Sequence, residues 1–210
     1  MKNIPIQIKQ IIKNLKYTKD NIGRSEDIIY IFENKYILKI SNNINRLKQE
    51  YQKINWLEDK IPSSKSILFI EENNKAYYLR TYLNGETLIN NRFISNPNLL
   101  IKTISKAVNL LKTLNNYNCP FNSTDNTGNE FIHGDLCLPN IIVNQNNEVI
   151  GFIDLDNSGL GDIWYDYSWL IWSFEYNLKT NKYTNLLLKE LNIEFNQEKY
   201  NFYIPEEYRN

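Results

Sequence analysis

Apolar positions along the 210-residue chain change their period several times. Ile4, Ile8, Ile11, Ile12 and Leu15 recur at helical spacing, with Pro5 tolerated in a first turn, and predict a short amphipathic helix docked on its own domain. Ile28 to Phe32 and Tyr36 to Ile40 read as two strands joined at Glu33-Asn34-Lys35. Ile44, Leu47, Tyr51, Ile54 and Leu57 make a helical stripe, with Asn42 or Asn43 as cap and Pro62 beyond its end. Ser66 to Glu71 and Lys75 to Thr81 predict a second hairpin turned at Asn73-Asn74, completing a small antiparallel sheet. Asn84-Gly85 then marks a crossing into a second part. There Asn96-Pro97 opens a helix with Leu100, Ile104, Val108, Leu111 and Leu114 on one face. The polar stretch NCPFNSTDNTGNE reads as a loop, WYDYSWLIWSFEY as an aromatic helix, and Tyr183 to Leu191 as the last helix.

Between that loop and the aromatic helix lies FIHGDLCLPNIIVNQNNEVIGFID, residues 131–154, which holds the chain's single histidine. Ile141 to Val143 and Val149 to Ile153 are two short apolar runs flanking the turn-prone Asn146-Asn147. If those asparagines are the turn, Asn140 sits opposite Ile153 and Asp154 lies one step past it at the open end. Asp135, on a short loop stiffened by Pro139, can fold back over the same opening. Two carboxylates and an amide oxygen then converge, and hard oxygen ligands of this kind suit Mg²⁺ together with substrate phosphates.

A second pairing comes from the first part of the chain. Lys39 is a charge on an otherwise apolar strand, and Glu50 lies on the buried flank of the helix that follows. A carboxylate in that position needs a cation, and Lys39 is the natural one.

HGDLCLPN followed by GFIDLDNSGLGDIWYD resembles the catalytic and metal-binding segments of the aminoglycoside phosphotransferase family, kinase-like small-molecule phosphotransferases, and is closest in motif to the 3'-phosphotransferases. The resemblance implies an α+β, protein-kinase-like bilobal fold. Residues 1–82 would form an antiparallel β N-lobe with the helix carrying Glu50, and residues 83–210 a reduced, mainly helical C-lobe. It implies Asp135 as catalytic base, and Asn140 and Asp154 as Mg²⁺ ligands. Lys39 would contact the phosphates of ATP or GTP, oriented by Glu50. Ser25 would approach the terminal phosphates, and Thr81, Leu83 and Ile153 would complete the nucleotide site. Acidic acceptor-binding positions would be Asp156, Glu175, Glu206 and Glu207. The family carries a long helical insertion where this chain has its polar loop.

The implied activity is γ-phosphoryl transfer to a hydroxyl of a small molecule, an aminoglycoside antibiotic first. The alternatives are an amino alcohol or sugar as acceptor, or an inactive nucleotide-binding module. His133 is expected to brace the loop through its ring, since no nucleophile motif accompanies it. Cys137 is expected to pack beneath the loop, and Asp162 and Asp166 to stabilise the start of the aromatic helix. Trp164, Trp169 and Trp172 are expected to pack.

Charge and cysteine content narrow the setting. With 24 basic and 24 acidic residues and a pI near 6.6, no overall field recruits nucleic acid or an anionic membrane, and no protein partner is evident. Two cysteines and one histidine supply neither a disulfide scaffold nor a spaced zinc site, which points to a reduced cytoplasm. No apolar run approaches the ~20 residues that span a bilayer.

Overall fold

The structure, a computed structural model, describes residues 4–20, 27–125 and 127–209. It divides into two compact units, Met1–Asn84 and Gly85–Asn210.

The first unit is a five-stranded antiparallel sheet in the order β1-β2-β3-β5-β4. Its strands are β1 (Tyr17–Asp20), β2 (Ile28–Phe32), β3 (Tyr36–Ser41), β4 (Ser66–Glu72) and β5 (Lys75–Thr81). Strand β1 was not visible in the sequence because Tyr-Thr-Lys-Asp has no apolar alternation; it gains its place by pairing Tyr17 with Phe32 along the edge of β2. The β4–β5 turn needs two consecutive left-handed residues, and Asn73 (φ 53°) and Asn74 (φ 57°) supply them.

The two faces of the sheet are covered by different helices. Ile4, Ile8 and Ile12, in and around α1 (Ile6–Ile11), pack with Leu38, Ile40, Tyr77 and Leu79. The alternate face carries Phe69 and Tyr78, against which Tyr51 of α2 (Ile44–Leu57) stacks and crosses edge-on. Because side chains alternate along a strand, Lys39, between Leu38 and Ile40 and paired with Tyr78, belongs to the α2 face. That alternation accounts for a lysine in an apolar strand. Helix α2 starts at Asn43, whose side chain accepts the Arg46 amide.

The second unit opens with β6 (Glu86–Thr87), α3 (Asn91–Ile94) and α4 (Pro97–Thr113), the last capped by Asn96. Four strands follow: β7 (Glu130–Ile132), β8 (Ile141–Val143), β9 (Val149–Phe152) and β10 (Gly159–Gly161). Helices α5 (Ile163–Leu178), α6 (Thr184–Leu191) and α7 (Gln197–Tyr203) complete it. The strands form a β6-β8-β9 sheet and a β7–β10 ribbon. In the β8–β9 hairpin Ile141 faces Phe152 and Ile142 faces Gly151, as the asparagine-turn arithmetic requires, yet the turn differs. It runs from Asn144 to Glu148 with Asn147 left-handed (φ 59°), and a bulge between Ile142 and Val143 absorbs the extra residue.

Leu79 is fully buried in the centre of the first unit's core. Leu79→Ala is expected to cost about 2–5 kcal/mol, as large-to-small core truncations do, read as a lower urea midpoint; an unchanged midpoint would show that this core does not limit stability.

Candidate active site

The loop leaving β7 is irregular, so its amides need acceptors that no strand supplies. Asp166, in the first turn of α5 and 1% exposed, supplies them. Its carboxylate accepts the His133 amide at 2.6 Å and the Gly134 amide at 2.9 Å. Gly134 takes φ 80°, and a Cβ there would lie 2.5 Å from the Asn157 carbonyl oxygen, so any side chain would be both strained and obstructed. Further along, the Leu138 amide donates to Ser173 Oγ at 3.0 Å, and Cys137 Sγ lies 3.9 Å from the Trp169 carbonyl. Asp166, Trp169 and Ser173 are spaced i, i+3, i+7 on α5, a single helix face along which the loop is laid.

That support brings Asp135 and Asn140 together. Pro139 sits within the 3₁₀ turn Leu138–Asn140, and the Cys137 amide closes back on the Asp135 carbonyl at 2.8 Å. Asn140 Nδ2 donates to the Asp135 backbone oxygen at 3.0 Å and to Asp135 Oδ2 at 2.9 Å. Both amide hydrogens are thereby used, and the oxygen Oδ1 is turned away from Asp135. The Ile153 amide donates to the Asn140 carbonyl at 3.0 Å, which places Asp154 one residue past the paired end. Asp154 is exposed and holds a left-handed backbone (φ 62°), uncommon for a residue with a side chain. Asp156, two residues on, is half-buried.

The side-chain oxygens of Asp135, Asn140 and Asp154 are all hard donors of the kind Mg²⁺ takes, and of the three Asp135 and Asn140 are in direct contact. Among the described residues no three His, Cys, Asp or Glu side chains gather as a metal group. An ion held by Asn140 and Asp154 would take one amide oxygen and one carboxylate from the protein.

His133 corrects the sequence reading. Its ring is buried edge-on to Phe152, with ring centres 5.7 Å apart, and neither nitrogen reaches a hydrogen-bond partner. The loop is braced through the histidine's backbone amide instead. Burial pushes the His133 pKa down to about 4, against the opposing pull of Asp135. Burial pushes Asp166 up to about 7, although its two amide bonds favour the anion. Burial and the neighbouring Asp135 likewise raise the Cys137 thiol, so it stays protonated and packs, as expected.

In the first unit, Lys39 Nζ lies 2.6 Å from Glu50 Oε2, the pairing expected from the strand and helix patterns. The sequence reading missed three further charges there. Asp27 Oδ2 is 3.6 Å from Lys39 Nζ and is also paired with Arg46, while Arg80 Nη2 lies 3.9 Å from Glu50 Oε1. Thr81 already donates its amide to the Lys65 carbonyl, so any contact it makes with a base falls to its own carbonyl. Leu83 follows two residues beyond, just outside β5. Ser25 lies outside the described residues.

The proposed acceptor acids are dispersed. Glu175 lines a cleft of about 470 Å³ together with Trp172, Tyr176, Tyr200, Tyr208 and Lys179. It accepts a hydrogen bond from the Thr184 hydroxyl at 2.6 Å. Glu206 and Glu207 are exposed on the last 3₁₀ turn, which docks here because Trp172 Nε1 donates to the Tyr208 carbonyl at 2.9 Å. Trp169 and Trp172 pack edge-on and Tyr176 stacks on Trp172, whereas Trp164 packs elsewhere, against Tyr167 and Phe195.

Residues 128–187 match the model of the phosphotransferase enzyme family. The chain is 22% identical to a probable aminoglycoside 3'-phosphotransferase of Lactococcus lactis subsp. lactis, over 87% of this chain and 86% of that protein. A shorter stretch, 35% of this chain and 28% of the relative, is 39% identical to an aminoglycoside 3'-phosphotransferase of Enterococcus faecalis. Among solved structures, aminoglycoside phosphotransferase APH(3'')-Id from Streptomyces rimosus has a TM-score of 0.78 at 15% identity, with 93% of each chain covered. An aminoglycoside-3'-phosphotransferase of type VIII gives 0.71 at 16%, with 94% of each covered. The fold is thus the kinase-like one expected from the motif.

His133 and Asp166 drive the pH dependence of stability in opposite directions. Native His133 titrates near 4 rather than 6.5, so between those values the unfolded chain holds the extra proton and stability rises with pH. Native Asp166 titrates near 7 rather than 3.8, so the native state holds the extra proton and stability falls as pH rises. The two slopes oppose each other between about pH 4 and pH 6.5. His133→Gln is expected to unmask a urea midpoint that falls between pH 4.5 and pH 7; a midpoint that stays level or climbs would contradict the Asp166 assignment.

Proposed function

We propose that this relative of the aminoglycoside phosphotransferases, which shares their kinase-like fold, transfers the γ-phosphoryl group of ATP or GTP to a hydroxyl of an aminoglycoside with the help of Mg²⁺. The observation that carries this reading is the Asp135–Asn140 pair on its buried support. Asn140 engages Oδ2 of Asp135 and fixes the carboxylate's rotation, which leaves Oδ1 to receive the acceptor's proton. As the acceptor oxygen bonds to the γ-phosphorus, the bond from that phosphorus to the bridging oxygen breaks and the nucleoside diphosphate departs. The hydroxyl proton passes to Asp135 and then to solvent. Such transfer depends on alignment and charge neutralisation more than on strong basicity.

Lys39, oriented by Glu50, would grip the phosphates, and Asn140 and Asp154 would hold the ion. The ion would supply positive charge to the phosphate oxygens as negative charge builds on the leaving group. A structure of the Streptomyces rimosus enzyme holds ADP and streptomycin, in keeping with a nucleotide and an aminoglycoside as the two substrates. Glu175, in its aromatic cleft, is the acid best placed to meet an ammonium group of the acceptor. Glu206, Glu207 and Asp156 contribute negative charge at the surface or near the loop.

The aromatic walls of that cleft also admit a second reading, a smaller amino alcohol or a sugar as acceptor. A phosphotransfer screen of aminoglycosides, choline and hexoses with both ATP and GTP separates the two. Turnover on choline or a hexose but on no aminoglycoside would replace the first reading. Asp135→Ala is expected to lower kcat by about a thousandfold, with nucleotide affinity unchanged in a binding assay. Turnover retained in that variant would falsify the assignment of the base.

A further inference from the structure

Lys39 is shared by two carboxylates. Its ammonium lies 2.6 Å from Glu50 Oε2 and 3.6 Å from Asp27 Oδ2, and both acids have only 3% of their side chains exposed. The sheet register sets up the second contact. Ile28 pairs with Ile40 and Ile29 with Lys39, so Asp27, the residue just before β2, is the diagonal neighbour of Lys39 on the α2 face. The Ser41 hydroxyl and the Arg46 guanidinium both bond Asp27 and, with Lys39, hold its carboxyl below the usual range.

Glu50 is shared by Lys39 and Arg80, and Asp27 adds a second carboxylate beside the lysine. It brings Arg46 with it, a cation from the first turn of α2 whose side chain is 35% exposed and has room to move.

On the reading that Lys39 grips nucleotide phosphates, we infer that Asp27 is a built-in rival of those phosphates, which holds Lys39 in the absence of nucleotide and weakens nucleotide binding. A phosphate oxygen at hydrogen-bonding distance from Lys39 arrives within roughly 7 Å of the Asp27 carboxylate, close enough for like charges in a partly desolvated site to repel. Nucleotide binding must overcome that repulsion or move Asp27 aside. Asp27 thus sets nucleotide affinity without taking part in the chemistry.

The test measures Mg²⁺-ADP binding to the full chain by calorimetry. Asp27→Asn keeps the size and hydrogen-bonding capacity of the side chain and removes its charge, so affinity is expected to tighten by about tenfold. Asp27→Ser carries the same expectation should the asparagine variant fold poorly, and circular dichroism checks the fold of each. Unchanged or weaker binding in a folded Asp27 variant would overturn the inference and leave Asp27 as a structural partner of Lys39. Lys39→Met separates this outcome from failure of the underlying reading. If that variant binds Mg²⁺-ADP as well as the wild type, the assignment of Lys39 fails; if it loses binding while Asp27→Asn gains none, the rivalry alone fails.

Discussion

The carboxylate of Asp166 is the constraint on which the loop from His133 to Asn140 depends. It is buried, and it accepts hydrogen bonds from two backbone amides, those of His133 and Gly134. Burying a carboxyl carries a desolvation cost, visible in the upward shift of its pKa to about 7. The return is that an irregular segment, which cannot satisfy its own amides, acquires a fixed path. Ser173 repeats the device two helical turns later on the Leu138 amide. With the backbone held at both places, Asp135 and Asn140 meet at 2.9 Å without either belonging to a regular strand or helix. The precision of the pair comes from the helix face behind it.

A different logic governs the charges of the first unit. Lys39, Glu50, Asp27, Arg46 and Arg80 form a connected, largely buried set. Buried ion pairs seldom add much net stability, because each ion gives up hydration to be there. Their value lies in fixing where charge sits. Here the α2 face of a strand whose other face packs against α1 delivers one ammonium to a carboxylate at 2.6 Å. Such a lysine is already ordered before any ligand meets it.

What the sequence reveals and what it hides follows from how far each interaction reaches. Asp135, Asn140 and the β8–β9 register are local, and spacing alone predicts them. Even the misplaced turn did no harm there, since the bulge after Ile142 offsets the longer loop and restores the pairing of Ile141 with Phe152. Lys39 with Glu50 was also legible, because a charge inside each of two adjacent apolar patterns asks for a partner. Asp166 was read as a helix-start acid and sits in that first turn, yet its oxygens reach back more than thirty residues to the loop. Nothing in a local pattern shows which distant amides lack acceptors. Asp27 and Ser173 stayed hidden for the same reason, and His133 misled because a lone polar ring suggests hydrogen bonds where the fold gives it an apolar niche.

The polar stretch before β7 shows how composition can suggest looseness where bonding produces order. Its asparagines, serines and threonines read as a simple loop, but its backbone is sewn to β10. The Ser123 amide donates to the Leu160 carbonyl at 3.0 Å, and the Leu160 amide donates to the Phe121 carbonyl at 2.9 Å. Asp125 accepts the Asp162 amide at 3.0 Å, and Asp162 is held in turn by Lys199 and Tyr203 of α7. At Gly128 a Cβ would lie 2.3 Å from the Gly161 carbonyl, so the two backbones touch. The polar side chains serve as internal bonding partners for a third, irregular edge on the β7–β10 ribbon. A local pattern cannot show such order, because the partners of these groups lie on β10 and at the start of α5, more than thirty residues further along the chain.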